Sequence, residues 1–163
     1  MSTKCLPFVQ KVLGDFMATS GLEPRLLSGL KVTAATPGRV SFELPIEKHH
    51  TNRLDILHGG AIASMVDLSG SLAVASRGLF LTGVSTDLNV TYLASGGNVG
   101  DTIRGEVTLD RFGKTLAYTQ VQFYNAQKVL VARGSHTKFI AQAFKDERNR
   151  VEELKGPDVK TEG

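Results

Sequence analysis

Apolar residues along this chain change their spacing several times, and each change marks an element. Leu6, Val9, Leu13, Phe16 and Met17 fall on one side of a helix within the first 20 residues. Beyond Pro24 the period drops to two. Leu30, Val32 and Ala34 alternate with Lys31, Thr33 and Ala35, the turn Thr36-Pro37-Gly38-Arg39 follows, and Val40, Phe42, Leu44 and Ile46 then alternate with Ser41, Glu43 and Glu47. This pattern predicts a hairpin with one apolar face. Residues 49–58 keep no period and read as a loop.

From residue 59 to about 76 helical spacing returns through Ile62, Met65, Val66, Leu68 and Leu72. The residues between them are small, so a sheet can approach closely and the helix is expected to be buried nearly all round. Gly78 is placed as its C-cap, with Arg77 at the negative end of the dipole. Strand-like alternation then recurs over 83–93, 102–109, 116–124 and 129–140, broken by turns at Gly96-Gly97, Arg111-Phe112-Gly113-Lys114 and Asn125-Ala126-Gln127-Lys128. Short connections favour antiparallel pairing, and one sheet face must cover the helix. The charged segment 142–163 is expected to be a short solvated helix running into a frayed tail. The chain therefore divides into an N-terminal helix and lead-in (1–29), an α+β domain (30–141) and that tail.

Composition narrows the class. A chain of 163 residues, 41% hydrophobic and 21% charged, holds one domain with a real core, and no apolar run approaches the roughly 18 residues of a membrane span. A net charge of +3 suits a phosphate-bearing ligand, but there is no clustered basic stripe for nucleic acid. The single cysteine, Cys5, excludes an intramolecular disulfide and a cysteine zinc site and points to a reducing compartment. No secretory signal pattern is present, so the sequon at Asn89-Val90-Thr91 is expected to stay unmodified. Cytoplasmic or mitochondrial residence is expected. The first 20 residues, with Asp15 and no arginine, fit a core-packing helix better than a presequence.

Candidate chemistry gathers in one place. Three of the four histidines, His49, His50 and His58, precede Gly59-Gly60, and the helix that follows carries a single acid, Asp67. The first N–H groups of a helix lack internal partners, so Gly59 and Gly60 can hold a carbonyl oxygen on which negative charge develops. The spacing of His49, His50, Asp55 and His58 fits no standard metal motif. Phe112-Gly113-Lys114-Thr115 is not a P-loop, because Thr108 stands where the first glycine is required and a strand follows. There is no G-x-S-x-G elbow, which argues against a serine nucleophile of that type.

The stretches HTNRLDILHGGAIASMVD, GVSTDLNVTYLA, GKTLAYTQV and GSHTKFI, in this order of elements, resemble the hotdog-fold acyl-CoA thioesterases of the phenylacetic-acid-degradation type, nearest the eukaryotic acyl-coenzyme A thioesterase 13 group. The resemblance covers about residues 30–140. It implies a curved antiparallel sheet wrapped around a long central helix, and hydrolysis of acyl-CoA to free acid and CoA. It implies a homodimer or homotetramer and no separate cofactor, CoA being part of the substrate. Carried over by position, Gly59 supplies the N–H for the thioester oxygen and Asp67 is the acid, as general base or nucleophile. Asn52 and His58 hold the carbonyl end, and Ser85 positions water. Tyr92, Gly113, Lys114, Thr115, His136 and Lys138 fall toward CoA, with Lys114, His136 and Lys138 either phosphate contacts or a solvated rim.

Two geometric questions accompany that assignment. Asp67 lies eight residues beyond Gly59, about 12 Å along one helix, so two antiparallel copies of the helix are needed to bring acid and oxyanion site together. In 83–93, Val84, Leu88, Val90 and Tyr92 share one face by simple alternation and Ser85 the other. A bulge or a contact across the dimer would bring it back. Two other functions fit the same fold: an enoyl-CoA hydratase, and a non-catalytic acyl-CoA-binding regulator.

Overall fold

The computed structural model describes residues 4–156. Helix α1 (Cys5–Thr19) and the short α2 (Glu23–Leu26) lead into the hairpin β1 (Lys31–Thr36) and β2 (Arg39–Pro45). A loop with a 3-10 turn at Lys48–His50 reaches the long helix α3 (Gly59–Ala75). Four strands follow: β3 (Val84–Tyr92), β4 (Thr102–Phe112), β5 (Leu116–Tyr124) and β6 (Leu130–Phe139). They join the hairpin in one six-stranded sheet of order β1-β2-β4-β5-β6-β3, with every neighbouring pair antiparallel. This is the α+β arrangement expected from the sequence, a curved sheet around a central helix.

The sheet closes on α3 because the residues between them are small. A Cβ on Gly134 of β6 would lie 2.7 Å from a methyl of Val66 and 2.9 Å from the Asn89 carbonyl oxygen, so only glycine permits this approach. Met65, Leu68 and Leu72 of the helix are buried with Phe42, Ile103 and Phe123 of the sheet. Phe42 and Phe123 meet edge to face at 5.9 Å. Helix α1 adds Val9 and Val12 to the same core, which makes it the core-packing helix expected.

Burial of α3 is incomplete in one respect. Gly60, Ala63, Ser64 and Asp67 remain accessible, and their spacing places them on one face of the first two turns. From Leu68 the helix is enclosed to Ala75, and Gly78 turns the chain at φ +92°.

The C-terminal segment departs from the expected solvated helix. Over 142–156 it folds back on the end of α3 and the turn that follows. Arg150 donates its N–H to the Gly78 carbonyl (2.7 Å), Arg77 Nε donates to the Leu154 carbonyl (3.1 Å), and Leu154 is buried. Asn149 accepts from Phe80 N–H and donates to the Ala143 carbonyl. The turn after α3 exposes backbone groups that need partners, and this segment supplies them. The frayed tail expected beyond it lies outside the described residues. Among the described residues no helix is long and apolar enough to cross a membrane.

Candidate active site

The start of α3 is built from backbone. His58 sits at the N-cap with extended φ and ψ, and its ring nitrogen Nδ1 accepts the Gly60 N–H at 2.7 Å. The next two N–H groups, of Ala61 and Ile62, go to the His58 carbonyl. Among the described residues the Gly59 N–H has no acceptor, so of the two glycine donors it is the one left for a ligand oxygen. Tyr92, from the end of β3, donates its hydroxyl to the Gly59 carbonyl at 2.6 Å and packs against the glycine, where a Cβ would meet the ring at 3.2 Å. Tyr92 therefore braces the helix start.

Asn52 shapes the loop before it. Its Oδ1 accepts from Leu54 N–H (2.9 Å) and Ile56 N–H (3.4 Å), an Asx turn closed by the Thr51–Leu57 bridge. His50 pins the same loop from below. It is fully buried, its Nδ1 accepts Glu47 N–H (2.9 Å), and its Nε2 lies 2.7 Å from the Leu26 carbonyl. Both ring nitrogens are thereby engaged within the fold. Burial lowers its pKa, against the Leu26 carbonyl that favours the charged ring.

Two turns further along α3 is a polar cluster. Ser85 donates its hydroxyl to Asp67 Oδ1 at 2.9 Å within one chain. The bulge left open by the sequence is what brings it there. Pairing of β3 with β6 shifts between Ser85 and Asp87, so Thr86 is extra, and Ser85 (opposite Lys138) shares a face with Leu88 (opposite His136), Val90 and Tyr92.

His136 and Lys138 differ from expectation. Neither forms a solvated rim with Lys114; both are buried under α3, because Ala132, Gly134, His136 and Lys138 are the helix-facing positions of β6. His136 Nε2 lies 2.7 Å from Ser85 Oγ and 3.5 Å from Asp67 Oδ1. Lys138 Nζ donates to Ser71 Oγ at 2.8 Å. Burial first and the Lys138 ammonium second push the His136 pKa down to about 4, against the pull of Asp67. Burial likewise lowers the Lys138 pKa, opposed by Asp67 and Glu23. The sequence carried a signal for this placement: the small residues Ala132 and Gly134 share the parity of His136 and Lys138, as a strand face against a small-residue helix requires.

Gly113, Lys114 and Thr115 form the β4–β5 turn, with Gly113 N–H bound to the Leu116 carbonyl and Lys114 exposed. The turn lies at the sheet end where β5 meets the end of β6, through Ile140 N–H on the Thr115 carbonyl. The structure thus gathers Asp67, Ser85, His136 and Lys138 in one cluster, Gly59, His58, Asn52 and Tyr92 at the helix start, and the turn in a third place.

A thioesterase superfamily model matches residues 54–132, spanning the glycine pair, Asp67 and Ser85. A protein of Schizosaccharomyces pombe named as an esterase is 46% identical over 147 residues, 90% of this chain and 91% of its own. The chain belongs to the thioesterase superfamily. Human acyl-coenzyme A thioesterase 13 is 38% identical over 117 residues, 71% of this chain and 83% of that one. Among solved structures, zebrafish thioesterase superfamily member 2 matches with a TM-score of 0.74 and 36% identity, covering 82% of this chain and 96% of that chain. Membership makes the protein a thioester hydrolase and makes its sheet-around-helix arrangement the hotdog fold.

Proposed function

We propose that this thioesterase hydrolyses fatty acyl-CoA, of medium to long chain, to free acid and CoA, with Asp67 delivering water and the Gly59 N–H receiving the thioester oxygen. The observation that carries the reading is a carboxylate held by Ser85 on the one open face of a helix whose first N–H is unpaired. An oxyanion donor of this kind is worth about 3–4 kcal/mol in the transition state. The apolar interior of α3 and its strands favours an alkyl chain over a small polar acyl group. The CoA assignment is supported by the human relative's name, and Lys114 on its exposed turn is the candidate phosphate contact.

A homodimer is the smallest active unit in this reading. Asp67 and Gly59 of one helix stand about 12 Å apart along its axis, so each acid serves the partner's helix start. The open edge of the sheet supports it: among the described residues β3 has no neighbour on its outer side, and it exposes Val84 and Tyr92, at 63% and 52% of their surface. Residence in cytoplasm or mitochondrion belongs to the same proposal.

Thiol release from acetyl- through palmitoyl-CoA and phenylacetyl-CoA, measured on wild type and Asp67→Asn, tests the function. Wild type is expected to turn over the longer acyl-CoAs best, and Asp67→Asn to lose at least about a hundredfold while remaining dimeric and binding substrate. A folded variant with near-normal turnover removes Asp67 from the chemistry. Tight binding without turnover by the wild type would instead indicate a regulator.

A further inference from the structure

We propose that His136 is a positioning residue of this site: seated over Gly70 as a neutral ring, it donates its Nε2 proton to Ser85 and so commits the Ser85 proton to Asp67. The proposal rests on Asp67 being the carboxylate that serves the thioester. It follows from counting protons. An ionised Asp67 only accepts, so the hydroxyl at 2.9 Å from Oδ1 must donate, and Ser85 has one proton to give. The Ser85 oxygen is then an acceptor toward His136 Nε2 at 2.7 Å, and that nitrogen carries hydrogen.

The other ring nitrogen decides the charge. Nδ1 of His136 is the one buried side-chain nitrogen or oxygen among the described residues that has no hydrogen-bond partner. A bare lone pair there is tolerable, whereas an imidazolium would bury an unpaired N–H. Burial and the Lys138 ammonium favour the neutral form and outweigh the two carboxylates that favour the charged one. Facing His136 are Asp67 from α3, Asp87 from β3, Lys138 from its own strand and the uncharged Thr119 from β5. The ring fits because position 70 has no side chain. A Cβ there would overlap Nδ1 and come within 2.9 Å of Thr119 Oγ1, which itself donates to the His136 carbonyl at 2.8 Å. Ser85 takes one acceptor site of Asp67 Oδ1, and Oδ2 has no hydrogen-bond partner among the described residues.

Ring-nitrogen NMR on histidine-labelled protein, with His136→Gln to assign its signals, reads the tautomer directly. At pH 7 the expected spectrum has Nε2 protonated and Nδ1 bare, unchanged down to about pH 5 given a pKa near 4. In steady-state kinetics with an acyl-CoA, His136→Leu is expected to lower kcat by about a hundredfold and leave KM in place, as misaimed catalytic groups do. His136→Gln, whose amide N–H reaches the same oxygen, should recover most of that loss. An Nδ1-protonated or doubly protonated ring at pH 7 overturns the proposal. So does wild-type kcat in His136→Leu, or a Gln variant no better than the Leu one. Asp67→Asn assayed beside them separates the two levels: if it alone is inactive while His136→Leu is not, only the proposal falls, and if it stays active both readings fall.

Discussion

His50 and His136 are equally buried, each at 1% exposure, yet they do opposite things. Around His50 both ring nitrogens are matched to the backbone, at Glu47 and at Leu26, and the ring ties the N-terminal segment to the loop that precedes α3. Around His136 one nitrogen meets a side chain that reaches Asp67, and the other meets nothing. The difference teaches how to read a buried histidine. Complete satisfaction by main-chain groups marks a pin, whereas a bond to an exposed hydroxyl on a carboxylate, with an orphan behind it, marks a group kept for chemistry.

Stability should separate the two pockets most sharply. His50→Leu strands the Glu47 N–H and the Leu26 carbonyl and is expected to cost about 4 kcal/mol. His136→Leu removes an orphan together with a donor whose partner is exposed to water, and should cost less than about 1 kcal/mol. Denaturant unfolding of both variants is the measurement, and equal losses would erase the distinction.

Acid comes next in size. Both rings have folded pKa values below their unfolded ones, so below the unfolded value the folded state holds fewer protons. Stability is therefore complete above about pH 6.5 and declines as pH falls through that value. For His136 the decline runs to about 4. That interval corresponds to roughly 3 kcal/mol. Unfolding measured from pH 7 to pH 4 should show the slope, and His136→Gln should lose its own share while the His50 share persists. An unchanged slope in that variant would mean that His136 does not titrate differently in the folded state.

The smallest effect is expected outside both pockets. Lys114→Ala should raise KM for an acyl-CoA a few-fold, with less sensitivity to salt than wild type, since an exposed ammonium acts on phosphate through screened charge. A salt series on both proteins checks it. Unchanged KM would make the turn only a turn.

Much of this molecule was legible in the chain. The period of two gave the hairpin and the later strands, small residues and helical spacing gave α3 almost to the residue, and the glycine pair after His58 gave the helix start. Asp67 stood out because a lone acid on a small-residue helix needs a reason. What misled was β6. The family resemblance put His136 and Lys138 toward CoA, as phosphate contacts or a solvated rim; parity with Ala132 and Gly134 places both inside. The charged C-terminal segment misled likewise, because its charge hides Leu154, which the fold buries.

The sequence by itself determined which segments are helix and strand, and which residue types could do the chemistry, because both depend on local periodicity and on functional groups. Only the tertiary structure decided which of those groups meet. One unpaired residue, Thr86, rotates the start of β3 by half a pleat and turns Ser85 onto Asp67. One missing side chain, at Gly70, makes room for the ring behind it. Alternation cannot register an insertion of one residue in a strand, and a glycine does not announce which neighbour occupies its space. Those facts exist only once distant strands and the helix are packed together.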